Sequence, residues 1–114
     1  MSDSTNHRRF YRLQYPDKMM PTATIGQAQY AVAEISEGGM RIRCPLSREF
    51  RIGDTIEGLL TFDDGQTIEF SGIIYRRDES DYVIAPLDGV SFKLVVAQQQ
   101  KVLSQFAAVV KDSN

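Results

Sequence analysis

Two short segments hold the residue types that can do chemistry in this chain. The first is "HRRFYRL" at residues 7 to 13, where Arg8, Arg9 and Arg12 cluster and no acidic residue occurs between Asp3 and Asp17. Arginine presents a planar, permanently charged fork that holds two acceptors at once, which suits phosphate oxygens and the O6/N7 edge of guanine. Arg8 and Arg12 are four apart, so an extended or turning segment lets the pair grip two acceptor groups of one ligand. A solvated basic terminus that only aids solubility has the same composition. Beside these arginines, Phe10 and Tyr11 can stack on bases or anchor the segment, and anchoring suits Phe10 better because burial rewards an aromatic more than waiting for a ligand does.

The second segment is "AEISEGGM" at residues 33 to 40. On a strand, Glu34 and Ser36 project from one face, a carboxylate acceptor beside a hydroxyl. Gly38 and Gly39 follow, and without a Cβ they permit a tight turn and the close approach of a ligand. A hairpin with a polar corner accounts for the same residues. Tyr30 and Val32 share the alternation of Glu34, so this strand must change environment along its length.

Little else supports catalysis. His7 is the only histidine, and no Cys/His/carboxylate spacing suits a metal, so neither a metal nor a cofactor is expected. Ser36 has no second histidine to act as its base and no nucleophile elbow. Cys44 alternates with apolar residues and reads as a small core hydrophobe. The expectation is a chain that is not an enzyme.

The elements that must position these residues are mostly strands. Runs "MPTATI", "QYAVAEIS", "MRIRC", "TIEGLLTF", "TIEFSGIIYR", "YVIAP" and "GVSFKL" are separated by turn residues at the intervals of a meander or barrel. In "MRIRC", Met40, Ile42 and Cys44 point one way and Arg41 and Arg43 the other. "DDGQ" predicts a hairpin joining 55–62 to 67–76, and Gly72 inside the second strand predicts a bulge or bend. "YPDK" at 15 to 18 reads as a turn. From Val96 to Val110, apolar residues including Val102, Leu103, Phe106, Val109 and Val110 recur at helical spacing, with no capping residue just before Val96.

At 114 residues, with 42% hydrophobic and 25% charged, the composition is that of one globular domain: a mobile tail over 1–7, a folded domain over 8–110 and a short tail over 111–114. A net charge of −2 opposes a surface built wholly for DNA or RNA. No apolar run approaches the ~20 residues a membrane helix needs, and "MSDSTNHRRF" lacks the apolar region of a secretory signal, so a cytoplasmic protein without membrane insertion is expected.

Taken together, Arg8 and Arg12 in "RRFYR" and Glu34, Ser36 and Gly39 in "EISEGG" resemble the paired RxxxR and (D/N)xSxxG signatures of PilZ domains. The likeness extends through "DGVSFKL" and the terminal helix, over residues 8 to 110. It implies an all-β fold, a six-stranded antiparallel β-barrel with a C-terminal amphipathic helix. It also implies a receptor for cyclic di-GMP in bacterial second-messenger signalling, in which residues 7 to 13 close over one barrel face and present a new surface to a downstream protein. On that reading Arg8 and Arg12 are the principal clamps and Arg9 an auxiliary one, while Glu34, Ser36 and Gly39 line the pocket. Glu34 departs from the Asp or Asn of the signature, and its extra methylene pushes the acceptor oxygens outward by roughly one bond length. The alternative is therefore a PilZ-like protein adaptor that does not take nucleotide.

Overall fold

Among the residues described by the computed structural model (12–44 and 50–113, with side chains to residue 105), alternating apolar and polar positions build seven strands and one helix. The strands are β1 (Leu13–Gln14), β2 (Thr22–Ile25), β3 (Ala28–Ser36), β4 (Gly39–Arg43), β5 (Thr55–Thr61), β6 (Thr67–Asp78) and β7 (Asp81–Asp88), followed by helix α1 (Phe92–Ser113). Arg8, Arg9, Phe10, Tyr11 and the expected tail over 1–7 lie outside the described residues, as do the side chains of Phe106, Val109 and Val110.

All strand pairings are antiparallel. In spatial order β2, β5, β6, β7, β4 and β3 form a ring, which closes because β3 pairs with both β2 and β4. This is the expected six-stranded barrel, and closure leaves its strands no open edge along the ring. The short β1 is an extra strand laid on β3, with Leu13 opposite Ile35 and Gln14 opposite Glu34. Inward-facing Ile35, Ile42, Leu60, Ile74 and Ile84 are fully buried and fill the barrel, and Cys44 packs with them as the sequence suggests. "DDGQ" makes the hairpin between β5 and β6, with Thr61 opposite Thr67 and Gly65 at a φ of 92°.

Two irregularities re-aim side chains. Along β3, Val32 pairs with Ile42 but Glu34 pairs with Arg41, so Ala33 is an extra residue and both Val32 and Ile35 face the core. That bulge is the change of environment anticipated within this strand. Between β6 and β7 the pairs run Gly72 with Leu87, Ile74 with Ile84 and Arg76 with Val83, so the ladder shifts on either side of Ile74. Gly72 sits at this irregularity because a Cβ there would lie 2.5 Å from Ile84 Cγ2 and 2.8 Å from the Pro86 carbonyl oxygen.

The last strand expected, "GVSFKL", is instead the entry to α1. Ser91 caps the helix: its Oγ accepts the Leu94 N–H at 3.1 Å and its carbonyl accepts the Val95 N–H at 3.1 Å. Val90, Phe92 and Leu94 alternate as a strand would, yet Phe92 is exposed while Val90 is buried, because a helical cap satisfies this backbone instead.

Helix α1 packs against β1 and β3. Tyr15, just past β1, donates its N–H to the Ala33 carbonyl at 2.9 Å and its buried hydroxyl to Gln98 Oε1 at 2.7 Å. Gln98 is the one buried polar residue among those described, and burial pushes the Tyr15 pKa up. Tyr15→Phe strands that amide oxygen, so it is expected to destabilise the fold by about 1–3 kcal/mol, measured by chemical denaturation. "YPDK" turns as expected, through a 3-10 turn at Asp17–Met19.

Candidate functional site

The register of β1 on β3 assembles the two motif segments. Leu13 opposes Ile35, and continuing that register by one step brings Arg12 level with Ser36. Beyond Ser36 the chain reverses through Glu37 and Gly38, and Ser36 pairs with Gly39 at the start of β4. The Ser36 hydroxyl donates to the Gly39 carbonyl at 3.3 Å. Gly39 does not have a positive φ, so it does not use the left-handed freedom of glycine. Gly39 matters by close approach: a Cβ there would stand 3.2 Å from the Ile84 carbonyl oxygen and 3.7 Å from Ser36 Oγ.

Arg12, Glu34, Ser36 and Gly39 line one cleft of about 190 Å³. Arg8 and Arg9, the other two expected clamps, fall outside the described residues. Arg41, Tyr75 and Arg76, not singled out as ligands in the sequence, are among the other side chains that share this cleft. Arg41 is the cross-strand partner of Glu34. Tyr75 is the residue left over between the pairs Ile74–Ile84 and Arg76–Val83, so a bulge turns its ring to the cleft rim, where it is 57% exposed. Its placement depends on that register shift, for which "GIIYRR" gives no sign beyond an aromatic beside two arginines.

Carboxylates hold these guanidinium groups in place. Glu34 stands between two arginines, with Oε2 3.4 Å from Arg12 Nε and Oε1 3.7 Å from Arg41 Nε. Arg41 also reaches Asp78 at 3.0 Å and Asp81 at 3.4 Å. Burial pulls the Arg41 pKa down, but hydrogen bonds to Asp78 and Asp81 outweigh it and hold it above its ordinary value. Arg76 Nε lies 3.1 Å from both oxygens of Asp78, and its guanidinium is 5.7 Å from the centre of the Tyr75 ring. Three arginines therefore face three carboxylates, which leaves the rim close to neutral.

A second hollow of about 450 Å³ lies across the same Arg12, Glu34 and Arg41, with Gln14, Arg43 and Asp81 on its walls. The comparable hollow of about 440 Å³ on β5, β6 and β7 is lined by Glu57, Glu69 and Asp88 and repels an anion. Among the described residues no group of His, Cys, Asp and Glu is arranged to hold a metal ion, and no helix is long and apolar enough to cross a membrane.

For Asp78, burial raises the pKa, but the hydrogen bonds from Arg76 and Arg41 win and leave it below the ordinary range. A carboxyl depressed in the folded state adds stability above the unfolded value near 4, and that stability is lost as pH falls through the lower folded value. The thermal midpoint of Asp78→Asn is thus expected to lie below that of the native chain at pH 6, with the gap narrowing at pH values under about 4.

The PilZ domain family model matches residues 6–108 of this chain. No curated protein matches it. Among solved structures it is similar to the Bacillus subtilis inhibitor of motility (MotI/DgrA), with 14% identity and a TM-score of 0.53 over 92% of this chain and 52% of that one. The chain thus spans about half the length of that neighbour, and at this identity the likeness concerns the fold.

Proposed function

Because this chain belongs to the PilZ domain family, we propose that it is a receptor for cyclic di-GMP and not an enzyme. The observation that carries the reading is the convergence of Arg12, Glu34, Ser36 and Gly39 on one cleft, from segments more than twenty residues apart in the sequence. Arg12 grips a guanine edge or phosphate, Ser36 exchanges one hydrogen bond with the ligand, and Gly39 keeps the approach open. Arg41 and Arg76 extend the basic rim, and the exposed Tyr75 ring offers a face on which a base stacks.

Arg8 and Arg9 add the charge that a doubly negative ligand needs. Binding closes the segment ahead of β1 over the cleft, and the surface so formed engages a downstream protein. Two hollows share Arg12, Glu34 and Arg41 in their walls, and the number of ligands bound is read from the titration.

One observation favours the adaptor alternative. Both Glu34 oxygens already face arginines, so guanine N–H donors compete with existing contacts there. Calorimetry with cyclic di-GMP separates the readings. Heat with a micromolar midpoint and a ligand-dependent rise in melting temperature support the receptor, since only a ligand that prefers the folded state stabilises it. Absence of heat from a folded sample far above micromolar ligand supports the adaptor. Binding that falls steeply with salt and ignores cyclisation would indicate an oligonucleotide site instead.

A further inference from the structure

The outer face of β5, β6 and β7 carries an apolar groove beside unmatched acid. Strand alternation turns Leu59 and Ile73 outward, where they are 42% and 37% exposed. Ile73 and Pro86 line a groove of about 360 Å³, and its walls run on through Ser71 and Asp88 into the neighbouring hollow of about 440 Å³. Strand register sets what surrounds Ser71: Glu57 opposes it on β5, Asp88 opposes it on β7, and Glu69 precedes it by two positions on β6. Leu59, the cross-strand partner of Glu69, and Ile73, two positions beyond Ser71, stand at the two ends of this acid patch.

Other strand carboxylates have cations to match: Glu34, Asp78 and Asp81 stand 3.4, 3.0 and 3.4 Å from an arginine nitrogen. Among the described residues Glu57, Glu69 and Asp88 have no such partner, and no lysine or arginine lines either hollow. Like charges gathered on one exposed face repel one another, and here no neighbouring cation offsets that cost.

We propose that this face docks a partner protein through an extended segment in which a lysine or arginine is flanked by aliphatic residues. Charge selects the occupant, because three carboxylates around one hydroxyl attract a cationic segment and repel nucleic acid and acidic proteins alike. Spacing selects it further. Leu59 and Ile73 lie four positions apart in the ladder, ~13 Å, and an extended segment sets its residues i, i+2 and i+4 on one face over that same span. Aliphatic, basic and aliphatic side chains at those positions therefore meet Leu59, the acids around Ser71, and Ile73 in turn. None of these residues lines the Arg12 cleft, so the docking stands apart from the ligand reading.

The probe is a synthetic peptide, Arg-Val-Ser-Arg-Ser-Val-Arg, titrated into the full chain at ~50 mM salt and followed by backbone amide NMR shifts. The native chain is expected to bind it with a dissociation constant of ~10–500 µM, with shifts gathered at Ser71 and Ile73. Glu57→Gln combined with Asp88→Asn weakens binding about tenfold and melts no lower than the native chain, since it relieves repulsion. Ile73→Ser, and a peptide with serine in place of both valines, each weaken binding at least about threefold. Asp17→Asn combined with Glu79→Gln, which removes as much charge elsewhere on the surface, leaves it unchanged. Absence of binding at ~1 mM peptide, equal binding of the serine peptide, equal weakening by the Asp17 and Glu79 pair, or shifts gathered at the Arg12 cleft overturns the proposal. So does a peptide-free native dimer that Glu57→Gln with Asp88→Asn returns to monomer, which assigns the face to a second copy.

Discussion

Arg12→Ala is expected to weaken the proposed cyclic di-GMP binding by about 2–4 kcal/mol, roughly 30- to 1000-fold, measured by calorimetry. The size follows from the loss of a bidentate, charge-assisted contact at the centre of the cleft. Little offsets it: freeing Arg12 from Glu34 before binding costs no more than about 1 kcal/mol, because the arginine side chain is 65% exposed and an exposed pair is weak. The same exposure makes the variant a clean probe, since its melting temperature in the absence of ligand should scarcely move. Unchanged affinity would mean that Arg12 serves only Glu34.

Glu34→Asp is expected to act in the opposite direction, tightening binding by about 1.5–3 kcal/mol, or ten- to a hundredfold. Two effects combine. The shorter side chain withdraws from Arg12 and Arg41, which now stand at 3.4 and 3.7 Å, and so frees a clamp. It also sets the acceptor oxygens where the family signature has them. The variant divides the two functional readings more sharply than the native chain does. If the native chain is silent and Glu34→Asp binds, the adaptor reading holds and Glu34 is its cause. If both are silent in folded samples, the nucleotide reading fails for reasons beyond this residue.

Alternation carried most of the architecture into view from the sequence. Met40, Ile42 and Cys44 against Arg41 and Arg43, and the Asp-Gly hairpin after Phe62, predict strands that the structure pairs as expected. Alternation also misled at Val90, Phe92 and Leu94, where one serine hydroxyl and its carbonyl decide for helix. The site was legible where residue type alone announces chemistry, as at Arg12, Glu34 and Ser36. It was illegible at Tyr75 and Arg41, whose places in the cleft arise from a bulge and a cross-strand pairing that no local pattern encodes. Gly39 was found for a partly different reason, since its value lies in the nearness of the Ile84 carbonyl rather than in a left-handed turn.

The extra residue at Ala33 has a consequence for how faithfully the barrel assembles. Were β3 to slip into an unbroken zigzag from Val32 onward, Glu34 and Ser36 would swing into the hydrocarbon interior and Ile35 out to water. Sinking a bare carboxylate there costs several kcal/mol, so the misaligned form stays unpopulated. The acid on the cleft wall thus also proofreads strand alignment, and its position is guarded by the penalty for putting it anywhere else.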